Sequence, residues 1–283
     1  MNEDIKASRA VVSRRRALGL GGSIGLGSLL AACGGGDGAT DSAASPTTSA
    51  GTVQPTATAA ADVLALLDVA GTCTLAQEAT QGPYWSDVDS IRSDLREDRP
   101  GTTLTLALRV QDISECSAGG EAAPVANSVV EIWHCDAGGV YSGFESGSTG
   151  GGGNSSAGET SDGSYSQGNA EAAVTDDGTY LRGAQVADAN GVVQFVTVYP
   201  GWYRGRTVHI HLKVHIDKRT VLTTQLYFDE ALNDEVFVTS PYDEHAGRDT
   251  TNDNDAIFAE TGLLTVQPRA EGYLGLINLG IEI

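Results

Sequence analysis

Between Thr207 and Ile216 apolar and polar residues alternate. On an extended strand His209, His211, Lys213 and His215 therefore share one face, and Ile210, Leu212, Val214 and Ile216 the other. Two histidines two apart on a strand stand roughly 7 Å apart at Cα, from where both imidazoles can turn toward one ion. Alone, such a pair serves a structural hydrogen-bond network as readily as a metal. Two neighbouring segments add to it. Tyr199-Pro200-Gly201-Trp202-Tyr203-Arg204-Gly205-Arg206 is a turn-rich stretch that places aromatics and cations just before the strand. Upstream, the run from Glu131 through Trp133, His134 and Cys135 reads as a buried strand entering a glycine turn that ends on Tyr141.

The elements that would hold these residues are strands. Thr102–Val110, Val129–Cys135, Val192–Val198, Thr207–Ile216, Val221–Phe228 and Tyr273–Ile281 are rich in β-branched, Leu and aromatic residues and bounded by Gly, Asp, Asn or Pro. The pattern predicts an all-β chain: an antiparallel β-sandwich core with long loops. Only Ala61–Ala70 and Asp255–Glu260 read as helical. Ser142–Asp177 is dominated by Gly, Ser, Thr, Asn and Asp and is far longer than an ordinary connection, so it reads as a surface insertion or as a lid following Tyr141.

The first 60 residues lie outside this pattern. Lys6, Arg9, Arg14, Arg15 and Arg16 precede an apolar, glycine-rich run from Ala17 to Ala32, the layout of an export signal. Ser13, Arg14, Arg15 and Leu18 resemble a twin-arginine signal, and Leu30-Ala31-Ala32-Cys33 a lipobox in which Cys33 would receive a lipid anchor. A signal cleaved after Ala32 with a free Cys33, and an uncleaved anchor, are the other two readings. Residues 34–60 are small and polar and read as a flexible tether. The expected organisation is a signal over 1–32, a lipidated Cys33 with linker to 60, and one domain over 61–283 at the cell envelope. Loss of 1–32 removes five positive and two negative charges, so the formal charge of −20 becomes −23. Such a field argues against nucleic acid or anionic lipid as partner. An exported location permits a disulfide, with Cys73 as partner of either Cys116 or Cys135.

The residues quoted above, with Gln81-Gly82-Pro83-Tyr84-Trp85 and Thr223-Thr224-Gln225, resemble the intradiol ring-cleavage dioxygenases, the family of catechol and protocatechuate dioxygenases, and within it exported single-core relatives. The resemblance runs from about Cys73 to the C-terminus. It implies a ferric ion held by Tyr141, Tyr203, His209 and His211, with Tyr203 and His211 axial. Phenolate is a hard anionic donor, and two of them with two neutral imidazoles suit Fe(III) and disfavour its reduction. It further implies that Tyr203 acts as a displaceable base, that Arg206 steadies an electron-rich substrate carbon, and that Gln225, Tyr84 and Trp202 line the substrate site. A small aromatic diol and O2 would be the substrates and a muconate-type diacid the product. Oligomerisation is left open, because the N-terminal helical dimerisation region of catechol dioxygenases is replaced here by lipobox and tether. The competing class is a lipid-anchored, non-catalytic sandwich that binds iron or a phenolic ligand. His134, His215 and His245 read as structural or surface residues, and Tyr165 as a solvated aromatic.

Overall fold

The computed structural model describes residues 57–145, apart from 72 and 89, and residues 172–283. The chain divides into two units, Met1–Val53 and Gln54–Ile283. The first, with the expected export signal and Cys33, lies outside the described residues, as do Tyr165 and most of the long insertion.

The second unit is a two-sheet sandwich built from β1 (Thr103–Asp112), β2 (Ala123–Pro124), β3 (Val129–Trp133), β4 (Arg182–Val186), β5 (Val192–Val198), β6 (His209–Ile216), β7 (Arg219–Tyr227), β8 (Thr265–Arg269) and β9 (Gly272–Ile281). One sheet has the order β2-β1-β9-β8 with β5 also paired to β1; the other is β4-β3-β6-β7. The expected sandwich is present with one correction. β1 and β9 run parallel, in register from Leu104 opposite Tyr273 to Asp112 opposite Ile281. A parallel pair needs a long crossover, and here nearly the whole domain separates the two strands.

Alternation decides which side chains fill the core. Leu104, Leu106, Leu108 and Val110 of β1 meet Ile210, Leu212 and Val214 of β6 and Val130 and Ile132 of β3 between the sheets. Each such fully buried side chain contributes about 2 kcal/mol of transfer free energy. Helix α1 (Ala57–Val69) covers the outer face of the first sheet, where Val63 and Leu67 pack on Ala107, Val192, Leu274 and Leu276.

The other predicted helix is not one. Asp255 turns its carboxylate back to accept the Ile257 N–H at 2.8 Å, which draws the backbone into a turn, and only a 3-10 turn at Glu260–Gly262 follows. A helix unforeseen in the sequence, α2 (Glu230–Val236), starts from Asp229, whose side chain accepts the Ala231 N–H at 2.8 Å. Cys73 is bonded to Cys116, Cα to Cα 5.7 Å, and Cys116 sits in a 3-10 turn after β1. Cys135 is a free, buried thiol.

Candidate metal centre

The outer face of the second sheet is polar yet closed: His209, His211 and Lys213 are 2%, 1% and 7% exposed. Neighbouring strands set one row of this face in register, with Arg182, Trp133, His211 and Gln225 side by side across β4, β3, β6 and β7. Trp133 stacks flat on the His211 ring, centroids 5.0 Å apart. The segment before β1 closes the row from above. Gly82, at φ +71°, lies so close that a Cβ there would stand 3.0 Å from His211 Cε1, so the position requires glycine.

Two turns bring in the tyrosines. The Asp136 carboxylate accepts the N–H groups of Gly138 and Val140 at 2.9 and 3.0 Å, fixing the turn that delivers Tyr141 from β3. Against it lies the Gly201 turn. A Cβ on Gly201 would fall 2.4 Å from the Asp136 carbonyl oxygen, so only glycine lets the Tyr203 segment dock there. Tyr141 and Tyr203 meet edge to face at 5.8 Å, so the two phenols stand side by side.

The four expected ligands thus come together. Tyr203 Oη is 3.0 Å from His209 Nε2, and His209 Nε2 is 3.1 Å from His211 Nε2. His209 Nδ1–H donates to the Thr207 carbonyl at 2.6 Å, which leaves the Nε2 lone pair facing inward. Adjacent donors on one ion, each bonded at about 2.1 Å and near right angles, stand about 3 Å apart, so the spacing fits a cation. The electrostatics fit as well. Burial above all, then the Arg206 charge for His209 and its neighbour imidazole for His211, hold both imidazoles neutral far below the usual histidine range. Burial raises the Tyr141 phenol strongly, and pushes Tyr203 up to about 12 against the opposing pull of Arg206. Among the described residues no three His, Cys, Asp or Glu side chains group to hold a metal, so an ion held here would need the phenol oxygens beside the imidazoles.

Around it runs a network that sequence reasoning saw only in part. Asp255 Oδ2 accepts both the Arg206 Nε–H and the Thr207 N–H at 2.9 Å, so one carboxylate fixes the arginine and the peptide that orients His209. Arg206 donates on to Gln225 Oε1, and Gln225 Nε2–H donates to the Thr80 carbonyl at 2.9 Å. Arg206 and Gln225 are therefore one unit beside the histidines. Asp255 falls in the segment whose pattern predicts a helix, and a carboxylate forty-nine positions from Arg206 carries no local signal of its partner. Arg182 was missed too. Its guanidinium grips the carbonyl and hydroxyl of Ser142, the residue after Tyr141, and leaves Nη1 buried without a partner. Burial lowers its pKa to about 10.

Tyr84 packs flat on Tyr141 at 4.7 Å and edge-on to Tyr203 at 6.5 Å, forming an apolar wall of the centre. Trp202 is placed elsewhere: it stacks on His245 at 4.1 Å and donates its indole N–H to the His245 carbonyl at 2.9 Å. Its neighbour Tyr203 takes the inward position. The described ends of the long insertion are clasped together, because Asp176 accepts the N–H groups of Gly143 and Glu145 at 2.9 and 2.8 Å.

Comparison with known proteins bears on this geometry. The dioxygenase family model matches residues 80–256, a span that holds every residue named above at the centre. Among solved structures, the intradiol ring-cleavage dioxygenase from Tetranychus urticae is 30% identical, with a TM-score of 0.60 over 74% of this chain and 95% of its own. The dioxygenase Tetur07g02040 is 31% identical, with a TM-score of 0.62 over the same shares. The dioxygenase domain of a carbohydrate-binding fusion protein from the cellulolytic bacterium Streptomyces sp. SirexAA-E shares the fold at 24% identity and a TM-score of 0.50, over 74% of this chain and 99% of its own. A search of curated proteins found no match.

Proposed function

This chain belongs to the intradiol ring-cleavage dioxygenases, and from that premise we propose that it is a ferric enzyme that opens the ring of a catechol-type diol with O2 to a muconate-type diacid. The observation that carries the iron assignment is the convergence of Tyr203 Oη and the two Nε2 atoms at 3.0–3.1 Å, with the Tyr141 phenol beside them. Ferric iron held by Tyr141, Tyr203, His209 and His211 would supply Lewis acidity toward the diol oxygens and draw electron density so that a ring carbon reacts with O2.

The protein's own groups account for the rest. Tyr203 is part-buried, and as a phenolate its Oη would be the group that takes a diol proton. Arg206 lies beside Tyr203 and His209, and its fixed positive charge would stabilise negative charge building on the ring carbon. Gln225 and Asp255 hold that guanidinium in place without adding a catalytic group of their own. The Tyr84 wall excludes water from one side of the ring.

Protein reconstituted with Fe(III) should be red-brown from phenolate-to-iron charge transfer, and Tyr203→Phe should shift or bleach that band. Oxygen uptake should follow addition of at least one member of a panel of catechols, hydroxylated aromatic acids and larger polyphenols. A colourless, iron-free protein would refute the iron assignment. Colour without uptake across the panel would leave a binding module instead of an enzyme. The N-terminal residues support an envelope location with Cys33 lipidated, and Cys33→Ala should release the protein from the membrane fraction.

A further inference from the structure

One row along from Trp133 and His211, β3 and β6 place Glu131 directly opposite Lys213 on the same outer face. Both side chains reach the segment that closes the metal centre. Lys213 Nζ donates to Gln81 Oε1 at 2.6 Å and sits 3.8 Å over the Trp85 ring. The Trp85 indole N–H donates to Glu131 Oε1 at 3.0 Å, while His215 Nε2 stands 3.3 Å from Glu131 Oε2. Between these two anchors lie Gly82, pressed on the His211 ring, and Tyr84, stacked on Tyr141. An ammonium this well covered costs free energy unless its donors and its charge are matched, and here the amide oxygen and indole face of the strap do the matching.

We propose that Lys213 and Glu131 are positioning residues that latch the strap Gln81–Trp85 onto the sheet, so that Gly82 and Tyr84 define the space in which the substrate ring must fit. They act through the strap, Lys213 at its first residue and Glu131 at its last. The shape of the site is thereby set from outside it. The identity of the ring as a diol rests on the dioxygenase reading above; the latch itself rests on the contacts alone.

The test uses the full chain loaded with Fe(III) and catechol as probe, with Lys213→Met, Lys213→Arg and Trp85→Phe. Hydrogen exchange of the peptide covering residues 77–86 should become about fivefold faster in Lys213→Met and Trp85→Phe, with the rest of the sandwich unchanged. The Michaelis constant for catechol should rise about five- to tenfold with kcat within about twofold, and the visible band should be retained because the ligands are intact. Lys213→Arg, which keeps a cation for the indole face, should restore much of the wild-type value. Unchanged exchange in both substituted proteins would overturn the latch. Faster exchange with an unaltered Michaelis constant would overturn its role in shaping the site. Should wild type take up oxygen with no member of the panel above, the functional reading fails, and the exchange result still decides whether the latch exists. Trp85→Phe leaves Lys213 in place and so covers the case in which Lys213→Met does not fold.

Discussion

Each sheet buries an arginine on its outer face, and the two are treated differently. Arg109, under α1, has every nitrogen engaged: Nε with Asn278 Oδ1 at 2.9 Å, Nη1 with Asp68 at 2.6 Å and Nη2 with the Leu67 carbonyl at 2.9 Å. Arg182, beside Tyr141, meets only neutral oxygens of Ser142 and keeps one nitrogen unmatched. A buried cation that is fully matched holds structure together. One left incompletely matched next to convergent donor atoms stores polar capacity for chemistry. The first sheet's outer face is finished by the fold; the second's is not.

Substitutions can break this contrast. The largest effect belongs to the centre itself. His211→Ala should abolish stoichiometric iron binding and lower kcat/KM by about a thousandfold or more, read by iron content and oxygen uptake. Retained iron and turnover would place the ligand set elsewhere. Next come the two arginines. Arg109→Met should cost about 2 kcal/mol in urea unfolding, by leaving the buried Asn278 Oδ1 without its donor, while leaving the visible band untouched. Arg182→Met should shift that band and reduce kcat about tenfold, because Ser142 and hence Tyr141 lose their clamp. If the two variants behave alike, the distinction between the faces is wrong.

The smallest effect sharpens it through pH. Burial holds His134 at about 4, with Nδ1–H donating to the Cys135 carbonyl at 2.8 Å and the Thr197 hydroxyl donating to Nε2 at 2.7 Å. Its folded pKa lies below the usual 6.5, so the unfolded chain binds the proton first. The stability it contributes is complete above pH 6.5 and is lost as pH falls toward 4, at up to about 1.4 kcal/mol per pH unit. Urea midpoints measured across this window should slope downward toward acid, and His134→Gln should flatten the slope.

The strands, the His pair and both tyrosine turns were legible because alternation and glycine-rich turns are local signals. Val192–Val198 matched to the residue. β4 and β8 escaped notice: Arg182–Val186 carries a glycine and an arginine, and Thr265–Arg269 a proline, so neither reads as a strand before its partners supply the pairing. The partners of Arg206 and Arg182 lie 49 and 40 residues away, beyond any periodicity. Trp202 and Tyr203 adjoin in sequence, yet the turn points one ring toward His245 and the other toward His209, which composition does not distinguish.

The parallel pairing of β9 with β1 has a consequence for synthesis. β9 lies between β1 and β8, so the sheet has a gap at its middle until residues 272–281 have left the ribosome. Its partner strand emerges some 170 residues earlier and must wait with that edge unsatisfied. The first sheet therefore closes only after β9 has been made. A nascent chain stalled short of β9 leaves the β1 edge unpaired, an exposed template for wrong strand pairing.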